Sequence, residues 1–129
     1  MAPTPPTPMP GRAVRGSTTG RPLMAALDLL GRRWSLRILW ELRQGPLGAR
    51  ALKARCDDMS SSVLYERLGE LAQGGLIAQD DALGYELTPL GHALGKAIAP
   101  LDAWAERWSA ALTPQRSRSG SGNVRSSRA

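Results

Sequence analysis

A mainly α-helical domain with a small β-hairpin is what the sequence predicts, and three observations carry that expectation. Apolar residues recur at helical spacing in successive segments between Leu23 and Gln73. Two short strand-like pieces, Leu76–Asp80 and Tyr85–Thr88, follow with a glycine-containing loop between them. A last apolar stripe then runs at helical spacing from Pro89 towards Leu112.

Each element has its own start or stop. Leu23–Leu30 is a short apolar helix stopped by Gly31, and Asp28 marks its exposed side. Arg32–Arg43 reads as a second helix, with Arg33, Arg37, Glu41 and Gln44 as its polar stripe. Its remaining faces hold Trp34, Leu36, Ile38, Leu39, Trp40 and Leu42, so a central helix is expected, with both tryptophans in the core. Gly45-Pro46 ends it, because proline cannot continue a helix and glycine closes one at little cost. Leu47–Arg55 is a third short helix, and Cys56–Met59 makes a turn before Ser60, the N-cap of a fourth. Leu64, Leu68 and Leu71 form that helix's buried stripe, and Gly74-Gly75 stops it after Gln73. Thr88-Pro89 places an N-cap ahead of a proline at the first turn of the last helix, with a kink expected at Pro100. Helix, helix, short helix, helix, hairpin, helix is the order of a winged helix-turn-helix.

Charge separates the folded part from its flanks. The 129 residues carry a formal net charge of +6. Residues 1–20 and 113–129 contain six arginines and no acid, so the stretch 21–112 is formally neutral. Within it, residues 21–70 hold nine basic and six acidic groups, and 71–112 hold two and five. The first half is therefore the better face for a polyanion. The flanks are rich in Pro, Thr, Ser and Gly and poor in apolar residues, so 1–20 and 113–129 are expected to be disordered tails around one domain, 21–112. A single cysteine, Cys56, precludes an internal disulfide and suits a reducing cytoplasm. No secretory leader and no membrane span is expected from the apolar pattern.

Catalysis finds no support in the residues. There is no nucleophile–base pattern, phosphate-binding loop, zinc spacing or dinucleotide fingerprint, so neither enzyme activity nor a cofactor is expected. His92, the sole histidine, has no carboxylate or cysteine pattern around it for a metal and reads as a surface residue. Cys56 sits beside Asp57 and Asp58, which disfavour a thiolate.

Three blocks of the sequence, ALDLLGRRWSLRILWELRQGP (26–46), SSVLYERLGELAQGGLI (61–77) and YELTPLGHAL (85–94), followed by Trp104, resemble the HxlR branch of the MarR-like winged-helix transcription regulators. The resemblance implies a bacterial homodimer that binds double-stranded DNA, with Ser60–Gln73 as the recognition helix in the major groove. It also implies Leu76–Thr88 as the wing, and Leu23–Leu30 with Pro89–Leu112 as the dimer arm. Three features depart from the family pattern. Arg21 stands where many members carry a sensing cysteine, so that mechanism does not carry over. Ala49 replaces an aromatic residue on the third helix. The wing is short and bears Asp80 and Asp81 in place of arginine, which repels phosphate.

Candidate residues follow. For base readout they are Ser61, Ser62, Tyr65 and Glu66: a tyrosine can pack on a thymine methyl, and a carboxylate can accept from cytosine N4. The plain alternative for Glu66 is a solvated helix face next to Glu70 at i, i+4. For phosphate they are Arg32, Arg33, Arg50, Lys53, Arg55, Ser60 and Arg67, giving affinity without sequence information. The plain reading of Ser60 is a simple cap, and that of Arg67 is a clamp on an acid such as Asp58. For a homodimer interface they are Leu27 on the first helix and Leu94, Ile98, Leu101, Trp104 and Trp108 along the last, an apolar surface too large for one small domain to cover. A small-molecule effector between dimer arm and DNA-binding lobe is a further expected partner. The competing function is a winged helix that docks or dimerises with proteins and binds DNA weakly or not at all.

Overall fold

The apolar stripe of one helix organises the structure. The computed structural model describes residues 6–128, with side chains from 6 to 113. Its order is α1 (Pro22–Leu30), α2 (Ser35–Glu41), a single 3₁₀ turn (Leu42–Gln44), α3 (Ala49–Arg55), α4 (Ser61–Gln73), β1 (Ile77–Asp80), β2 (Gly84–Leu87) and α5 (Pro89–Arg128). Leu64, Leu68 and Leu71 of α4 are buried with Leu29, Ile38, Leu42, Leu52, Cys56 and Met59, so α4 meets all three preceding helices in one core. The chain divides into a unit up to Gly95, which holds this core, and a second unit from Lys96 on, the rest of α5.

The link from α3 to α4 is a tight turn. Asp57 and Asp58 both take left-handed backbone, with φ of 58° and 55°. Aspartate tolerates that region better than most side chains. Asp58 N–H donates to Lys53 C=O at 2.9 Å and Met59 N–H to Cys56 C=O at 3.1 Å, closing the turn that the sequence predicts. Arg37 of α2 braces it: its guanidinium donates to Glu41 at 2.9 Å and to the Arg55 carbonyl at 2.6 Å, and lies 3.6 Å from Asp57. One of the orphan carbonyls at the end of α3 is thereby satisfied.

The second helix differs most from expectation. It begins at Ser35, not Arg32, because Trp34 has left-handed backbone (φ 77°) and breaks the helix there. Arg32 and Arg33 consequently lie in the α1–α2 turn. At the other end the helix tightens into the 3₁₀ turn at Leu42. Trp34 is half-buried against the core, as expected, but Trp40 is 49% exposed, which corrects its core assignment. The ring of Trp40 instead lies under the Arg43 guanidinium, 3.6 Å from its centroid, a cation–π contact at the surface.

The hairpin pairs Ile77 with Leu87 and Asp80 with Gly84. A bridge from Leu47 to Tyr85 adds a third edge, with both N–H···O=C bonds made at 2.8 and 3.0 Å. Gly84 is required there: its φ is +94°, and a Cβ would lie 2.5 Å from Leu47 C=O. Asp80 Oδ1 accepts from the N–H groups of Ala82 and Leu83, so this acid shapes the wing loop. Thr88 caps α5 as predicted, its Oγ1 accepting from Gly91 N–H at 3.1 Å while donating to Gly75 C=O at 2.6 Å.

Ahead of α1, residues 6–20 form a hydrogen-bonded loop, where the sequence suggested disorder. Gly11 N–H donates to Gly20 C=O, Val14 and Ser17 pair both ways, and Arg15 N–H donates to the Asp28 carboxylate at 3.1 Å. Turn geometry supplied by Gly11, Gly16 and Gly20, all at positive φ, substitutes for apolar content. Residues 1–5 lie outside the described residues. At the other flank α5 runs as helix beyond Leu112, to Arg128, with the side chains of 114–129 outside the described ones.

Three substitutions test this packing by urea denaturation. Leu71→Ala is expected to lower stability by about 2–5 kcal/mol, because Leu71 is fully enclosed. Gly84→Ala is expected to destabilise. Gly69→Ala, in open space on α4, is expected to stabilise by about 0.5–1 kcal/mol.

Candidate nucleic-acid interface

The N-terminal turns of α4 are bare on one side. Ser60 is the N-cap, in extended backbone, and its Oγ accepts from Val63 N–H at 3.2 Å. Capping therefore accounts for its hydroxyl. Because Leu64, Leu68 and Leu71 face the core, helical geometry turns Ser62 and Glu66 outward with Tyr65 beside them, Ser61 is open at the helix start, and all four are exposed. The structure brings the predicted readers together on one face. Tyr65 is 55% exposed. Tyr85 on the wing is half-buried, and that burial pushes its phenol above its ordinary value, with Tyr65 as the lesser cause.

The basic residues separate into two groups. Arg33, Arg50 and Lys53 meet no acid at ion-pair distance among the described residues; the Arg33 guanidinium lies 5.7 Å from the Trp34 ring centroid. Arg55 stands 3.8 Å from Glu41 and is half-exposed. Arg32 and Arg67 turn inward instead. Arg32 donates to Glu70 and to Pro6 C=O, and Arg67 donates to Glu66, Glu70 and Arg33 C=O. The acids that Arg67 clamps are thus Glu66 and Glu70, not Asp58. Glu70 is 6% exposed, the one buried acid among the described residues, where the sequence pattern alone suggests a solvated helix face. Helical periodicity assigns an acid to solvent; only partners 38 residues away in the chain, and one turn away on α4, make burial tolerable.

The candidate dimer residues are mostly uncovered. Leu27, Leu101, Trp104 and Trp108 are each half or more exposed, and Ile98 is half-buried. Leu94 packs against the chain's own core. Trp104 and Trp108 stack on each other with centroids 5.8 Å apart. His92 is exposed, as expected. No helix among the described residues is long and apolar enough to cross a membrane.

Cys56 is fully enclosed at the foot of the helix-turn-helix. Burial pushes its thiol above the ordinary value of 9.0, and Arg37 opposes that only in part.

A family model described as HxlR-like helix-turn-helix matches residues 29–113. The chain belongs to that family. Among curated relatives, the uncharacterized HTH-type transcriptional regulator YvaP of Bacillus subtilis (strain 168) is 32% identical over 89 residues, 64% of this chain and 82% of its own. The HTH-type transcriptional regulator YodB of the same organism is 29% identical over 99 residues, 72% of this chain and 88% of its own. The solved structure of quinone-bound YodB superposes with a TM-score of 0.62 at 32% identity, covering 66% of this chain and 94% of that one. A protein described as a transcriptional regulator of the MarR family from Enterococcus faecalis V583 gives 0.61 at 31%, covering 68% and 86%. The HxlR-like member is accordingly a winged helix-turn-helix transcription regulator and not an enzyme.

The enclosed thiol makes a direct test of the packing beneath the α3–α4 turn. Cys56 is expected to resist alkylation by iodoacetamide at neutral pH in the folded protein and to react on unfolding, as read by mass spectrometry. A thiol that holds its proton more tightly folded than unfolded stabilises below its unfolded pKa. Stability is therefore expected to fall as pH rises past about 9, and Cys56→Ala should remove that slope.

Proposed function

We propose that this regulator binds an inverted-repeat operator in double-stranded DNA as a homodimer, with α4 in the major groove. The observation that carries the proposal is the exposed face Ser61, Ser62, Tyr65 and Glu66 at the start of a helix whose opposite side is locked into the core. Such a face meets base edges, while Arg33, Arg50, Lys53 and Arg55 on adjoining elements supply phosphate contacts. The apolar residues Leu101, Trp104 and Trp108 on α5, and Leu27 on α1, support a second copy as their cover, since large exposed apolar surfaces are rare in monomers. A reducing cytoplasm is the compartment that suits a DNA-binding protein with one free thiol.

A small-molecule effector belongs to the proposal on the strength of the quinone-bound state of YodB. Here Arg21 opens onto α1 and the sole cysteine is enclosed, so an effector would be held by non-covalent contacts. The acidic wing and the neutral charge of 21–112 favour the second reading, a winged helix that docks proteins.

Selection of bound duplexes from a random pool separates the two. The expected product is an inverted repeat whose half-sites lie about one helical turn, ~34 Å, apart. Tyr65→Ala and Glu66→Ala are each expected to weaken operator binding by about 1–3 kcal/mol and to relax preference at their own positions. Arg50→Ala should weaken all sequences alike. No enriched sequence at all would favour the protein-docking reading. For assembly, light scattering should give a dimer mass, and Trp104→Glu with Trp108→Glu should give monomer or aggregate; a monomeric wild-type protein would remove the dimer.

A further inference from the structure

Two acids and two arginines close a network behind the exposed face of α4. Glu70 accepts from Arg32 at one carboxylate oxygen and from Arg67 at the other, at 3.1 Å for Arg67. Arg67 Nη1 also donates to Glu66 Oε1 at 3.1 Å, and its Nε donates to Arg33 C=O at 2.8 Å. The side chains of Arg32, Arg67 and Glu70 are 17%, 15% and 7% exposed, and that of Glu66 is 40% exposed. Arg67 is therefore a largely enclosed hub with three acceptors, and only one of those acceptors reaches the outer face.

We infer that Arg67, fixed by Glu70 and the Arg33 carbonyl, is a positioning residue for Glu66, and that Arg32, Arg67 and Glu70 thereby set base preference without touching DNA. The inference rests on the proposed function, in which Glu66 reads a base. Two physical requirements of such a reader are met by Arg67. A free glutamate loses much rotamer freedom on binding, and a prior hydrogen bond removes part of that loss. A bare carboxylate is also repelled by a polyanion, and an adjacent guanidinium offsets the repulsion. With Oε1 held, Oε2 is left to accept from a base donor such as cytosine N4. Lysine cannot replace Arg67, because the fork that serves Glu66, Glu70 and a carbonyl at once is lost with the guanidinium.

The test uses the full chain and the operator recovered by random-pool selection. Glu66→Ala first identifies the base pair in each half-site whose preference depends on Glu66. Arg67→Lys and Glu70→Gln are then titrated against that operator and against one altered at that base pair. Discrimination there is expected to fall at least about fivefold in both variants, with preference at all other positions kept. Adding Glu70→Gln to Glu66→Ala should bring no further loss of discrimination. Arg67→Gln should leave the salt dependence unchanged, since a phosphate contact would contribute about 0.9 to the slope per protomer. Thermal unfolding monitors the fold; should Glu70→Gln not fold, Arg67→Lys carries the comparison. Retained discrimination in Arg67→Lys would overturn the inference while leaving Glu66 a reader, and so would a reduced salt slope in Arg67→Gln. An unaltered preference in Glu66→Ala would remove the reader itself, and the inference with it.

Discussion

Burial of Leu64, Leu68 and Leu71 is the contact on which the other features depend. These three residues turn α4 so that one side is committed to the core made by α1, α2 and α3. Everything exposed on that helix is exposed because of this commitment. Helical spacing then leaves no freedom: with leucines at i, i+4 and i+7 inward, Ser62, Tyr65 and Glu66 point away. At roughly 25 cal/mol per Å² of apolar area, three enclosed leucines outweigh any single polar contact in the domain.

Polar contacts add precision that apolar burial lacks. An apolar stripe tolerates small rotations and slides of a helix, whereas charge-assisted hydrogen bonds are directional. Arg32 and Arg67 join α4 to the α1–α2 turn, and Arg37 joins α2 to the end of α3. The helix-turn-helix is thus pinned at both of its flanks. Buried ion pairs of this kind contribute little net stability compared with apolar substitutes, yet removing one partner is costly. What they contribute is the orientation of α4.

Much of this was legible from residue patterns. Ser60 and Thr88 as caps, Gly74-Gly75 as a stop and the Leu64–Leu71 stripe locate α4 and the start of α5 because each depends only on neighbours in the chain. What was not legible depends on distant partners or on unusual backbone. Nothing in Arg32-Arg33-Trp34 announces a left-handed tryptophan, since that conformation usually marks glycine or asparagine. Trp40 looked like core because its neighbours at i−1 and i−2 are core, but a half-exposed tryptophan under Arg43 satisfies the same periodicity. Glu70 was invisible for the reason already plain from its contacts: its partners come from another part of the chain. The loop over 6–20 escaped because its order comes from backbone hydrogen bonds, which composition does not record.

The four linked charges also bear on how such a regulator diverges after gene duplication. Ser61 and Tyr65 make no side-chain hydrogen bond among the described residues, so either can change without unsettling its surroundings. Glu66 cannot: its loss leaves Arg67 one acceptor short, and its replacement by a cation sets like charges side by side. Substitutions on this face would then accumulate first at Ser61 and Tyr65. Position 66 would follow only in lineages that also altered Arg67 or Glu70, leaving a signature of paired substitutions along α4.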